Sequence, residues 1–556
     1  MTSSSSAASG ARRGSFFART SDARLATLVG VVLWALAAWP IPLLDVAPYQ
    51  DLAGHLATVT IIEHLDKYPE FVFNGFLKTN SALICFVYFV GKLVGIKGAA
   101  RLFVLGVLAA NAFAFPRFVL QLTDRKRMLV ASLFLLPMIH NWWVSMGMLN
   151  FSLGIALALE TLVHIDRQRA HPTAGRAALI AGLTLVTWYA HSIPLFVVGA
   201  LVVVHVALEP SWRARIRGAQ TLLLPIVPSL LLVVFVMISH VLGTGGPRSG
   251  AVDEVEWPSA ISVPYDLWST WFYGFTTLSA SSLVTAIALA AIGVWRFRDR
   301  PRFFPPIAMA GMFAGCWLLP NMMPGFGYVN VRLAPFVWMA ALVRVPARLP
   351  RMLVVALAAS AALYAVGQSI DLFRLEGDQR AFTAGMSAVP EGARMLTLNF
   401  RERVTSKNTW SLHTTSGLYA MEKLATAQDI WADSPTMPIM YRAPPDFLMD
   451  PVLIRHFAAK MATCASYCAS AQKSGVPSDD CRAKYDLIWE SFWRRVTQRF
   501  DHVILWQPPA DVLERVAPNY ARAFENRGLY VLERRDEAAS ASGQHPHANL
   551  DAPVGR

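Results

Sequence analysis

Val46 to Leu65 reads VAPYQDLAGHLATVTIIEHL, and it sets Asp51, His55, Glu63 and His64 directly after a wholly apolar run. A plain connection between two membrane helices needs only to be soluble, so acids and histidines at this point call for another reason. On a helix, Asp51 and His55 lie four residues apart and share a face. A carboxylate at the edge of a bilayer is expensive unless it is used. Asp51 and His55 are therefore the candidate catalytic residues. The alternative is an amphipathic interface helix whose polar side happens to hold them.

The run before this stretch, Leu25–Leu44, is long enough to span a bilayer, for which about 20 residues suffice. It ends in WPIPLLD with no Ala-x-Ala cleavage pattern, which predicts a retained first helix over a signal peptide. Residues 1–24, rich in Ser and Ala and carrying Arg12, Arg13, Arg19 and Arg24, read as a cytoplasmic tail. Over the whole chain 54% of residues are hydrophobic and only 16% charged, where soluble domains run near a quarter charged, so a membrane protein is expected. The net charge of +13 does not point to nucleic acid. The Arg and Lys residues come in short clusters between apolar runs, as cytoplasmic loops do, and form no single binding face.

Further candidate spans are Ala99–Leu122, Met128–Met146, Leu149–Ile165, Ala177–Ala190, Ile193–Leu208 and Leu222–Leu242, then Ala280–Trp295, Pro305–Leu319, Ala334–Val345 and Met352–Ile370. The basic clusters at Arg125/Lys126/Arg127, Arg167/Arg169/Arg176, Arg213/Arg215/Arg217, Arg296–Arg302 and Arg344/Arg348/Arg351 fall in alternate gaps. The positive-inside rule then predicts a polytopic all-α membrane domain, residues 25–370, with about eleven transmembrane helices. Its first external loop is 45–98. Within that loop Ser81–Val94, SALICFVYFVGKLV, is short for a span and contains Lys92. It reads as an interfacial or re-entrant helix, with a twelfth span as the alternative.

This parity predicts the amino terminus in the cytoplasm and residues 371–535 in the extracytoplasmic space. There ARMLTLNF, HVILWQPP and GLYVLERR read as buried strands and YDLIWESFWRRVTQRF as a helix, which predicts a small α/β domain. Residues 536–556 are poor in apolar residues and read as a disordered tail. Cys464, Cys468 and Cys481 lie in this external part and are the disulfide candidates, free thiols being the alternative. Cys85 and Cys316 sit in apolar runs as packing residues. No His neighbours the cysteines at ligand spacing, so no cofactor and no metal site is expected, a divalent cation being left open.

Sorted by depth, polar groups collect at the outer helix ends. Arg117 and Glu160 lie near cytoplasmic ends and can snorkel. Asp51, His55, His140, Asn141, Asn150, His191, Asn321, Asn330 and Arg332 all lie on the outer side. Arg332 is an unexpected cation there under the positive-inside rule and reads as an anion-binding group, with interface pairing as the alternative. Asn150 and His191 are further substrate-binding candidates, against a helix cap and a satisfied interface histidine respectively. Trp142 and Trp143 read as an aromatic belt and Gly325 and Gly327 as loop chemistry.

The layout of a first helix, a large external loop opening with PYQDLAGHLA, paired helices AARLFVLGVLAAN and RKRMLVASLFLLP, the stretch GMLNFSLGIALALE and a soluble external domain resembles the GT-C superfamily. These are integral membrane glycosyltransferases that use polyprenyl-phosphate sugars, among them protein mannosyltransferases and lipid A aminoarabinose transferases. The resemblance implies that the first-loop acid, here Asp51, is the catalytic base. Many members carry adjacent Asp-Glu at that point, whereas Leu52 follows here. It further implies a polyprenyl-phosphate sugar donor, a lipid, glycan or protein acceptor at the outer face, and membrane lipids as partners. The chemistry is coherent by itself: an acceptor must lose a proton as it attacks, and Arg332 with Lys78 or Lys92 supplies positive charge for a phosphate leaving group. The competing readings are a transporter or flippase of a lipid-linked glycan, and a non-catalytic membrane scaffold. A transporter should show inverted repeats, and no internal repeat is evident.

Overall fold

The computed structural model describes residues 21–241, 255–275, 277–323, 326–401, 406, 408–428, 430, 432, 437–443, 445–473 and 481–535. The expected N-terminal tail up to residue 20, the tail 536–556 and Gly325 lie outside them. The chain is a multi-pass membrane protein built mainly of helices. Among the described residues five helices are long and apolar enough to cross a bilayer: Asp22–Leu43, Ile96–Leu122, Leu149–Ala170, Leu278–Trp295 and Arg351–Ala388. A sixth is made if Trp212–Leu223 and Val227–Phe235, which meet at 72°, count as one broken span. Their outward faces carry large apolar side chains such as Val32, Leu363 and Phe235, which water would not tolerate as a continuous surface.

Among the described residues only these of the eleven expected crossings have the length and hydropathy of a span, and others fall on shorter helices. Ala174–Ala190 and Ser192–Ala207 have 17 and 16 residues, Pro306–Leu318 has 13 and Ala334–Leu342 nine. The expected span Met128–Met146 is not one helix. It breaks into Arg125–Ala131, Ser132–Phe134, Leu136–Ile139 and Trp142–Ser145. Pro137 has no amide proton to donate, and the Asn141 side chain accepts from Val144 N at 3.2 Å to start a new turn. This stretch is apolar because protein surrounds it. Trp142 and Trp143, expected at a lipid boundary, are 6% and 0% exposed. Ser81–Val94 forms the helix Ala82–Val94, which turns through Gly95 (φ 76°) straight into Ile96–Leu122.

The helical body has two chemically distinct ends. At one, Arg125 pairs with Asp22, buried Asp166 accepts from Gln121 (2.8 Å) and Arg302 (3.0 Å), and Arg344 donates to the Arg296 carbonyl at 3.2 Å. The basic clusters of the sequence gather here. At the other end lie the first loop, the 140–150 turn and residues 395–535.

There four strands form a mixed sheet in the order Met395–Asn399, His502–Trp506, Leu529–Arg534, Tyr520–Asn526. The first pair is parallel, with Leu396 opposite Val503, and the others antiparallel. Cys481–Arg499 covers one face through Trp489, Phe492 and Trp493. The sheet unit is stitched to the first loop. Phe71–Phe73 pairs antiparallel with Ile439–Tyr441, and Ala57, Ile61 and Phe71 share a core with Ala420, Ile430 and Tyr441. Residues 52–61 are therefore buried on every side, since one face meets the membrane helices and the other meets Gly417–Lys423.

Candidate active site

The Gln50–Asp51 turn is held from below by a second turn. Gln50 N donates to the Ser145 carbonyl at 3.2 Å and Asp51 N to the Met146 carbonyl at 3.1 Å. Gly147 makes this approach possible. Its φ is +80°, and a Cβ there would stand 2.9 Å from Asp51 N. The floor is aromatic and hydroxylic: Tyr49 meets His140 Nε2 at 3.1 Å, and Tyr364 donates to the His140 carbonyl at 2.5 Å.

Asp51 occupies the cap position of Leu52–Glu63, yet its carboxylate makes no capping hydrogen bond. It accepts instead from Gln50 Nε2 at 3.3 Å, and it is 7% exposed. Burial pushes its pKa above the ordinary carboxylate range, while His413, the Gln50 hydrogen bond and Arg455 pull it back. His413 and Arg455 lie against each other in a cavity also lined by Thr397, Asn399, Ser416 and Ile454. The structure thus brings Asp51 together with groups more than 360 residues away in the chain. Gln50, His413, Arg455 and Thr414 escaped the sequence reading. The only local signal was the hydroxyl- and histidine-containing run TWSLHTTSG, and its distance from Asp51 in sequence hid the pairing.

His55 is buried one turn along, and its Nδ1 has no hydrogen-bond partner. Burial pushes its pKa down to about 4, so the ring is neutral at pH 7. Asp51 and His55 do not form an ion pair or hydrogen bond through their side chains.

Arg332, 8% exposed, lies between the rings of Phe151 (5.3 Å) and Trp143 (5.6 Å). One guanidinium nitrogen contacts His191 Nε2, another lies 3.8 Å from Met148 Sδ, and its Nε has no partner. No carboxylate pairs with it among the described residues. His191 also accepts from Ile193 N through Nδ1, capping its helix. Asp51 and Arg332 do not touch, but both border the Met146–Met148 turn.

Asn150 uses both ends of its amide, donating to Asn80 O at 2.7 Å and accepting from Leu83 N at 2.8 Å, so it anchors the first loop. Lys78 is half-buried on that anchored loop. Its neighbour Thr79 meets Ser192 Oγ at 2.8 Å, one residue from His191. Lys92 is exposed and stands 4.3 Å over the Tyr88 ring. Cys468 and Cys481 are disulfide-bonded, with Cys464 Sγ 3.9 Å from Cys468 Sγ. Among the described residues no group of three or more His, Cys, Asp or Glu could hold a metal ion.

The whole arrangement, a helical membrane body with an acid-bearing first loop under a carboxy-terminal sheet unit, has a counterpart among solved structures. It is similar to ArnT from Cupriavidus metallidurans in the apo state, with a TM-score of 0.51 over 93% of this chain and 98% of that chain, at 14% sequence identity. The chain therefore shares the overall fold of that protein. No protein-family profile matches the sequence, and no curated protein does.

Proposed function

We propose that this chain is a membrane glycosyltransferase of the GT-C type. It moves a sugar from a polyprenyl-phosphate donor to an acceptor at the outer face of a bacterial inner membrane. The observation that carries this reading is Asp51, a buried carboxylate that caps nothing and lies where the first loop meets the carboxy-terminal unit. Asp51 accepts the proton that the acceptor loses on attack, a role typically contributing about 10²–10⁴-fold. Burial raises its pKa, which strengthens it as a proton acceptor. Arg332 binds the donor phosphate, since a buried guanidinium with an unpartnered Nε and no carboxylate is prepared for an anion. Lys78, on the loop beside Ser192, adds positive charge. Lys92, held against Tyr88, lies further along its helix and contributes less. His55 and His191 line this end as neutral groups, and Asn150 fixes the loop that holds Lys78.

The gathering of the basic clusters at the opposite end supports an orientation with those loops in the cytoplasm and the site outside. The site opens at one end of the body, which favours transfer at one face over passage through it. The test is envelope lipid and glycan profiling of a strain lacking the gene, complemented with wild type, Asp51→Asn or Arg332→Ala. The product band returns with wild type, stays absent with Asp51→Asn, and returns partly with Arg332→Ala when donor supply is raised. Normal product with Asp51→Asn at native expression ends the proposal. A reporter active only in the cytoplasm, fused after Arg535, must stay silent for the orientation to stand.

A further inference from the structure

The sheet unit does more than sit above the membrane body. Asn399, at the end of the first sheet strand, donates to the Leu412 carbonyl at 3.2 Å and so fixes the loop that follows. Within that loop Trp410 N donates to Gln50 Oε1 at 2.8 Å. Thr414 Oγ1 donates to the Gln50 carbonyl at 2.7 Å and accepts from Gly54 N at 3.1 Å. Asn408 reaches the Tyr273 carbonyl at 2.9 Å, which seats the loop on the helical body as well. Between these bonds His413 is buried, packs on Trp410 at 5.4 Å between ring centres, and meets Arg455 of Pro451–Lys460. Three hydrogen bonds thus lock two residues on either side of Asp51 to the segment that carries His413.

We propose that His413 and Arg455 are positioning residues for Asp51, supplied by the carboxy-terminal unit, which hold its carboxylate in place and favour its charged form. This rests on the reading of Asp51 as the base. A buried acid left to itself stays protonated and accepts nothing. The charged and titratable groups around it are His413 and Arg455 from the sheet unit, Tyr49 and His55 on its own segment, and His140 behind Tyr49. Of these, His413, next to Thr414 that bonds both Gln50 and Gly54, and its contact partner Arg455 are the ones that lower the carboxyl pKa. The membrane body therefore places Asp51, and the distant unit sets its charge. The base is functional only when both parts are docked.

Dicyclohexylcarbodiimide tests this without any substrate, because it modifies protonated carboxyls in apolar surroundings. The full-length protein in native membranes is labelled across a pH series, and the adduct on the Asp51 peptide is quantified by mass spectrometry. In wild type, labelling falls as pH rises through the Asp51 midpoint. Arg455→Ala moves that midpoint upward by about 1 pH unit, the size expected for removing one nearby positive charge, and His413→Gln moves it in the same direction. Arg455→Lys restores it toward wild type, which a purely structural contact would not do. If His413→Gln fails to assemble, the Arg455→Ala and Arg455→Lys pair decides. A midpoint unchanged in Arg455→Ala, or moved equally by Arg455→Lys, overturns the proposal. The labelling is independent of transfer: a shifted midpoint alongside normal product with Asp51→Asn would sink the glycosyltransferase reading and leave the positioning pair standing.

Discussion

Replacing Gly417 by Ala should loosen the seat of the carboxy-terminal unit by a calculable amount. A Cβ at Gly417 would stand 2.6 Å from the Ala53 carbonyl oxygen, 2.9 Å from its carbon and 3.2 Å from Gly54 N. All three are backbone atoms of a helix buried on every side, so no side chain can swing away. Restoring an ordinary contact of 3.4 Å requires Gly417–Lys423 and Leu52–Glu63 to separate by about 0.8 Å, in an interior packed too densely to absorb it. Overpacking of this kind typically costs about 1–3 kcal/mol. The same movement stretches the Thr414 bonds to Gln50 and Gly54. Gly377→Ala is the matched control, because Gly377 lies within the long helix Arg351–Thr383 and a Cβ there meets nothing within 4 Å. That change should stabilise by close to the Gly-to-Ala helix difference of about 1 kcal/mol. Thermal unfolding in detergent should therefore lower the apparent Tm of Gly417→Ala by about 1–3 °C and leave Gly377→Ala at or above wild type. If Gly417→Ala melts with wild type, the close approach of the two helices is not a constraint, and the docking argument falls with it.

Asp51→Asn should raise stability while it removes transfer. Asp51 has a folded pKa above its unfolded one, so its stabilising contribution is complete below the unfolded value of about 3.9 and is lost as pH rises through the folded value. The Asn variant should unfold later than wild type at pH 7, with the gap closing toward pH 4; a variant less stable at pH 7 contradicts the assignment. His55 runs the other way. Its pKa falls from 6.5 to about 4 on folding, so its contribution is complete above 6.5 and lost as pH falls through 4, worth up to about 3 kcal/mol. His55→Gln should flatten the stability loss in that window, and an unchanged acid profile would count against a neutral buried ring. Alkylation of the denatured, non-reduced protein should modify Cys85, Cys316 and Cys464 and leave the Cys468 and Cys481 peptides joined. Recovery of Cys468 as an alkylated thiol contradicts this.

Much of the architecture was legible because hydropathy reports burial. The strands at 395–399, 502–506 and 529–534 stood out as short apolar runs, and the long helices as long ones. The strand Tyr520–Asn526 was missed because it lies at the sheet edge, where only Tyr520 is buried and no alternation survives. The opposite error came at Met128–Met146, since hydropathy cannot distinguish lipid from protein as the apolar neighbour. Asp51 was legible as an acid in the wrong place. Gln50, Thr414, His413 and Arg455 were not, because nothing in a single sequence says that residue 50 meets residue 410.

The missed residues explain how the legible one is tolerated. A carboxylate buried beside apolar helices should be removed by any selection for stability alone. Around Asp51 the protein instead commits a glycine with positive φ at 147, both polar atoms of the Gln50 side chain, and a histidine and an arginine from a separate unit. Each of these raises the free energy of losing the arrangement and none is needed to bury the surrounding apolar surface. A cap would have taken the first amides of its own helix, yet Gly54 N goes to Thr414 and Leu52 N to the Tyr49 carbonyl, and the carboxylate caps neither. Such a conflict between local preference and tertiary placement, resolved by groups from two parts of the fold, is the pattern expected where function has set the residue.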